Sequence, residues 1–346
     1  MENDALKKSY DTAFNCVAEL VEQSYQAWRE IRSISLDEKY EKVDNIIFCG
    51  MGGSSLPAHI VLSMFNVKVP VQIYEDYRIP KYAGKNSLVV LSSYSGNTEE
   101  VLSCSEQAKE SECLIFGITS GGKLGDFLTN SHFPLYIFDP KHNSSKLPRY
   151  GLGYGIFAFL GLLARLNLIK DFGENDLDFQ LKEAIKYLGS KLSLINDSAE
   201  EAVNKCHGDV LVIFSSQNLK GNGRTFANQI NETSKTLAFC AELPEANHNL
   251  IEGFRKSSLD ISVVFLISPS YPPRIAERFN ITKEIIDKNG YKNYEYKVSK
   301  GNLLQEMLET LLFSSLFSVK LSQYKKIDPL KIDTIDNIKK MLSLTK

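Results

Sequence analysis

The chain lacks an excess of charge of either sign: 40 lysines and arginines face 42 aspartates and glutamates, a formal net charge of -2 over 346 residues. That excludes a global field able to hold nucleic acid or an acidic lipid surface, so neither is an expected partner and any anion must be bound by a local site. Metal-ligand spacing is also missing. The five histidines (His59, His132, His142, His207 and His248) form no H-x-H or H-x-x-x-H pair, and the six cysteines form no C-x-x-C. No metal is expected, and cysteines inside apolar runs such as Ile46-Ile47-Phe48-Cys49-Gly50 read as buried free thiols. The longest apolar stretch, 150–164, stops at Arg165. It falls short of the ~20 residues of a membrane span and reads as a buried helix. The first residues show no basic segment leading into an apolar run, so no secretory leader is expected and the cytoplasm is the expected compartment.

What is present is the composition of a folded globular protein, 43% hydrophobic and 24% charged, on a chain long enough for two cores. Residues 1–40 read as a helical arm, with Phe14, Val17, Leu20, Val21 and Tyr25 at helical spacing. Beyond it, short apolar strands alternate with helix-length segments, the pattern of a parallel sheet whose crossovers are helices. From about residue 170 the order restarts: helices, a strand near 209–216, a polar loop Gln217-Asn218-Leu219-Lys220-Gly221-Asn222-Gly223-Arg224, a helix, and further strands. The expected fold is therefore α/β and doubly wound (flavodoxin-like). A first domain spans 41–168 and a second 169–346, the latter ending in two helices separated by a turn near Asp328-Pro329. The recurrence suggests a weak internal duplication.

In such sheets ligands sit beyond the carboxyl ends of the strands, and two loops there can hold an anion. Gly50-Met51-Gly52-Gly53-Ser54-Ser55 lets backbone N–H groups approach a phosphate at a helix start. Ser92-Ser93-Tyr94-Ser95-Gly96-Asn97-Thr98 adds hydroxyl donors at another. Each loop alone also reads as a tight turn or a capping cluster; together they form a neutral cradle for one phosphomonoester. Two nucleotide readings fail on detail. Ser55 stands where a dinucleotide fingerprint ends in glycine, although Glu75 lies near the place of a ribose-binding acid. In Gly117-Ile118-Thr119-Ser120-Gly121-Gly122-Lys123, Leu124 replaces the Mg²⁺-binding hydroxyl. No cofactor is expected.

Taken in order, these two loops, Pro148-Arg149-Tyr150-Gly151-Leu152-Gly153-Tyr154, Gln229-Ile230-Asn231-Glu232 and Asn247-His248-Asn249 resemble the bifunctional phosphoglucose/phosphomannose isomerase family over nearly the whole chain. The resemblance implies two sugar-isomerase (SIS) domains and a homodimer in which the histidine reaches a site on the neighbouring subunit. It implies phosphate binding by Gly52, Gly53, Ser54, Ser93, Ser95 and Thr98. It also implies Glu232 as the base that moves a proton between C2 and C1, and Arg149 as the cation beside the enediolate. His248, assisted by Lys339 of Ile335-Asp336-Asn337-Ile338-Lys339-Lys340, would open the ring. Departures are Ser55 in place of a small glycine and Leu250 where an acid often follows the histidine.

These side chains suit the chemistry. A histidine with an ordinary pKa of ~6.5 passes protons near neutral pH, a carboxylate abstracts a carbon-bound proton, and an arginine stabilises an oxyanion without losing its own proton. Taken singly, Glu232 also fits a solvated helix acid, His248 a loop histidine and Arg149 a surface charge. The expected activity is a metal-independent aldose/ketose isomerase interconverting glucose 6-phosphate and fructose 6-phosphate, with mannose 6-phosphate as second aldose. A non-catalytic sugar-phosphate sensor, or an amino-sugar or pentose-phosphate isomerase of the same fold, are the alternatives.

Overall fold

A computed structural model of the chain describes residues 2–170, 172–255 and 259–344. It opens with helices α1 (Glu2–Ala18) and α2 (Leu20–Ile31). The first sheet region follows: β1 (Asn45–Gly50), α3 (Leu56–Met64), β2 (Val71–Tyr74), β3 (Ser87–Ser93), α4 (Glu99–Glu110), β4 (Leu114–Thr119), α5 (Gly122–Asn130), β5 (Leu135–Ile137) and α6 (Leu152–Arg165). After the long helix α7 (Glu174–Lys205) comes the second: β6 (Val210–Ser215), α8 (Lys220–Ser234), β7 (Leu237–Glu242), β8 (Ile261–Ile267), α9 (Pro273–Lys288), β9 (Lys292–Lys297), α10 (Leu303–Tyr324) and α11 (Asp333–Leu344).

Both sheets are parallel throughout, ordered β2-β1-β3-β4-β5 and β7-β6-β8-β9. The order reverses between β1 and β3 and again between β6 and β8, so each sheet opens a crevice at its carboxyl edge there. β3, Ser-Leu-Val-Val-Leu-Ser-Ser, is buried at every residue because helices cover both faces, which is why it reads as a continuous apolar run. The 150–164 stretch forms α6, buried along nearly all its length, with α2 laid on it through Trp28 and Phe157. Among the described residues no helix is long and apolar enough to cross a membrane.

One expectation is corrected. The stretch 217–224 is not a loop: a 3-10 turn covers Gln217–Leu219 and α8 begins at Lys220. Its glycines serve packing rather than a turn. A Cβ at Gly221 would lie 2.3 Å from the His59 carbonyl oxygen of α3, and one at Gly223 would lie 2.3 Å from Ser215 Oγ. α8 thus crosses α3 at close range and joins the two sheet regions.

Candidate functional site

The crevice of the first sheet holds the two small-residue loops. After β1, Ser54 accepts the Tyr94 backbone N–H through its hydroxyl at 2.9 Å, and its carbonyl accepts from Ser92 Oγ at 2.9 Å. The first loop is thereby laced to the second. In the second, Ser93 and Thr98 hydroxyls pair at 2.8 Å, the Ser95 hydroxyl accepts the Asn97 N–H at 3.3 Å, and Thr98 stands at the start of α4. Gly52, Ser95 and Asn97 face solvent while Ser54 and Ser93 are buried. The six residues expected to hold phosphate therefore share one edge of one sheet.

Arg149 comes to the same edge in a 3-10 turn, Pro148–Tyr150, that abuts the glycine loop: a Cβ at Gly53 would lie 2.9 Å from Pro148 Cβ and 3.3 Å from the Arg149 nitrogen. Arg149 is only 2% exposed. Nη1 donates to Glu232 Oε2 at 3.2 Å and Nη2 to the Pro329 carbonyl at 2.6 Å. Glu232 lies in the last turn of α8, a quarter exposed, so one carboxylate oxygen is tied to arginine while the group keeps access to solvent. Gln229, three residues earlier on the same helix face, donates to the Arg149 carbonyl at 3.2 Å. Asn231 faces the other way and exchanges two hydrogen bonds of 2.9 Å with Ala238, pinning the start of β7. The spacing of Gln229-Ile230-Asn231-Glu232 is thus explained by α8 serving two neighbours.

Two further features were not legible in the sequence. Lys235 ends α8 in a left-handed conformation, φ 50°, and its amine donates to the carbonyls of Glu232 (2.9 Å), Asp328 (3.0 Å) and Lys331 (2.7 Å). Burial, then the adjacent Arg149 guanidinium, pushes its pKa down to about 8. It fastens the turn whose Pro329 carbonyl receives Arg149. On the far side of the glycine loop, Glu75 accepts from Ser55 Oγ at 2.6 Å and Arg224 at 2.6 Å, with His59 Nε2 at 3.5 Å, too long for a well-formed hydrogen bond. The imidazole, then Ser55 and Arg224, hold its carboxyl down to about 2. Glu75 is thus a link between the loop and α8.

His248 and Lys339 are not brought to this cluster. His248 lies exposed in a 3-10 turn, Glu245–His248, after β7, and Lys339 lies on the exposed helix α11. Among the described residues no hydrogen bond or ion pair joins either to Arg149 or Glu232. Topology explains the histidine. α8 returns the chain from the carboxyl edge of the second sheet to the start of β7, so Glu232 sits at the amino edge. His248 follows the other end of β7, roughly 20 Å of strand away. Among the described residues no group of three or more His, Cys, Asp or Glu side chains could hold a metal ion.

Residues 195–342 match the family model described as bacterial phospho-glucose isomerase C-terminal SIS domain. A bifunctional phosphoglucose/phosphomannose isomerase from Caldicellulosiruptor bescii is 30% identical over 344 residues, covering 95% of this chain and 98% of the relative. One from Aquifex aeolicus is 30% identical over 302 residues, covering 86% and 90%. Among solved structures, a hypothetical protein from Thermus thermophilus superposes with a TM-score of 0.73 at 16% identity, over 99% of this chain and 94% of that one, a likeness of fold. With near-complete coverage of a 30%-identical relative, the chain belongs to the bifunctional phosphoglucose/phosphomannose isomerase family.

Proposed function

We propose that the protein is a sugar-phosphate aldose/ketose isomerase that interconverts glucose 6-phosphate and fructose 6-phosphate, and mannose 6-phosphate and fructose 6-phosphate, through one cis-enediol. The observation that carries this reading is the Arg149–Glu232 pair, 3.2 Å apart, beside a loop edge rich in hydroxyls. Gly52, Gly53, Ser54, Ser93, Ser95 and Thr98 anchor the phosphate, so binding energy from the unreactive end orients C1 and C2. Glu232 takes the proton from C2 and returns it to C1. Arg149, its charge fixed and its position set by Pro329 and Glu232, stabilises the oxyanion that develops between these steps. Both aldose epimers lose their C2 stereochemistry in the enediol, so one base in one site serves two aldoses.

Ring opening needs a proton carrier that a single chain does not bring to Glu232, and we assign it to the partner subunit's His248 in a homodimer, with Lys339 assisting. Supporting the second copy are apolar side chains that a monomer leaves uncovered. Leu237 and Phe239 on edge strand β7 are each 54% exposed, and α11 buries none of its residues while presenting Ile338 and Met341 to solvent. The proposed division of the chain is a helical arm 1–40, a first SIS domain 41–168 and a second 169–346. Six free cysteines, five of them buried, fit the cytoplasm.

The test of activity is a coupled assay on EDTA-treated protein with fructose 6-phosphate, reading glucose 6-phosphate and mannose 6-phosphate separately; formation of neither product refutes the reading. The test of the shared site is complementation. Glu232→Gln and His248→Ala proteins, each inactive, are unfolded and refolded together. Random pairing gives half heterodimers, each with one intact site, and so about a quarter of wild-type activity. No recovery with heterodimers present places both residues in the same subunit's site.

A further inference from the structure

The crevice of the second sheet, between β6 and β8, is built like that of the first but is already filled. The 3-10 turn after β6 supplies Asn218, and the loop after β8 supplies Ser268 and Ser270. All three converge on one carboxylate, that of Glu306 in the first turn of α10. Ser268 Oγ donates to Oε2 at 2.7 Å, Asn218 Nδ2 to Oε2 at 3.0 Å, and Ser270 Oγ to Oε1 at 2.7 Å. Ser268 Oγ in turn accepts from the Ser270 N–H at 3.0 Å and from Asn218 Nδ2 at 3.1 Å, closing the network.

Glu306 is 1% exposed, and among the described residues no lysine, arginine or histidine nitrogen lies within 4.0 Å of its carboxylate. A buried carboxylate normally needs a cation close by; this one is held by neutral hydroxyl and amide donors alone. Donors of that kind around an anion, at the switch point of a parallel sheet, are what the first sheet offers to a phosphate through Ser93, Ser95 and Thr98. The two crevices differ in who provides the anion: in the first it must come from outside, in the second the chain provides it.

We propose that the second sheet region carries an anion cradle of the phosphate class and that Glu306 is its built-in occupant, leaving each chain a single sugar-phosphate site. The phosphate class rests on the reading of the first-region loops given above; the occupied cradle itself rests only on the contacts of Glu306. Ser270 is exposed and, with Gly301 and Asn302, borders an open groove of about 590 Å³, so an external anion has a path toward the cradle once the carboxylate is removed.

Truncation at Cβ removes the four terminal heavy atoms of Glu306 and leaves the three donors in place. Binding of inorganic phosphate is measured by titration calorimetry on the full chain. Glu306→Ala is expected to bind one more phosphate per chain than wild type. Adding Ser95→Ala and Thr98→Ala removes the first-region phosphate and leaves the new one. Glu306→Gln, which keeps the cradle filled, gains none. If Glu306→Ala does not fold in phosphate-free buffer, recovery of its folded circular dichroism spectrum on adding phosphate, and not chloride, supports the proposal. A Glu306→Ala protein that neither gains a phosphate nor responds to phosphate in folding overturns it, as does an equal gain by Glu306→Gln. Absence of phosphate binding by wild type would count against the first-region loops instead, and the difference between the variants would still decide the cradle.

Discussion

Gly53 lies against the Arg149 turn with no room for a side chain, and its replacement by alanine tests whether that close approach of the proposed phosphate loop matters. The added methyl group meets Pro148 Cβ at 2.9 Å, the Pro148 carbonyl carbon at 3.2 Å and the Arg149 nitrogen at 3.3 Å. None of these is the free end of a flexible side chain, so either the loop or the turn must move by several tenths of an ångström. Overpacking of this kind costs about 1–3 kcal/mol. Where the cost falls on the geometry of the bound state, each ~1.4 kcal/mol is a tenfold loss, so kcat/KM should fall roughly 5- to 150-fold. Because the displaced atoms carry the proposed phosphate anchor and the Arg149 backbone together, KM for fructose 6-phosphate should rise and kcat should fall. Gly52→Ala, in the same proposed phosphate loop, separates the clash from the backbone penalty in thermal unfolding. Gly52 has φ 48° but no atom within 4 Å of its virtual Cβ, so alanine there pays only the left-handed penalty of roughly 1 kcal/mol. Steady-state kinetics on both variants, alongside thermal unfolding, decide the matter. A Gly53→Ala protein with wild-type KM, kcat and melting temperature would show that the loop and the turn do not act as one unit.

Two more outcomes follow from the site. Glu232→Gln retains an oxygen to accept from Arg149 but no base, so turnover should fall by about 10²–10⁴ while calorimetric affinity for fructose 6-phosphate stays within a few-fold; retained turnover would assign the proton transfer elsewhere. Glu75→Gln should lower stability at pH 7 by about 1–2 kcal/mol, a figure reduced for the partial exposure of the Glu75–Arg224 pair. Since the folded carboxyl is held down to about 2 and an unfolded one titrates near 4.3, the unfolded chain binds more protons between those values. The stabilisation is therefore full above about pH 4.5 and lost as pH falls through about 2. Denaturant unfolding across that range should show the gap between wild type and variant closing toward acid, and a gap independent of pH would remove Glu75 from the link.

The sequence by itself determined what depends on short stretches of chain. An apolar run such as Ser87–Ser93, buried on both faces, states its strand without help from elsewhere, and glycine and serine after it state a loop at a helix start. Alternation of such runs with helices left a parallel sheet as the only economical connection, and the two-region architecture followed. Residues 217–224 misled because glycine and asparagine speak for turns locally. Their helix is set by α3, whose backbone leaves room only for hydrogen at Gly221.

Only the tertiary structure decided the partnerships. Arg149 and Glu232 are 83 residues apart, Arg149 and Pro329 are 180 apart, and nothing at either place encodes the other. Glu306 looks in sequence like an ordinary acid in the first turn of a helix; its proposed role as an internal anion exists because a 3-10 turn and a loop that follow different strands close over it. The separation of Glu232 from His248 is likewise a property of the crossover. A helix that runs back along a parallel sheet places its last turn at the opposite edge from the loop that follows the next strand. Sequence proximity of 16 residues therefore becomes distance in one chain, which is why the proposed site that contains both calls on a second copy.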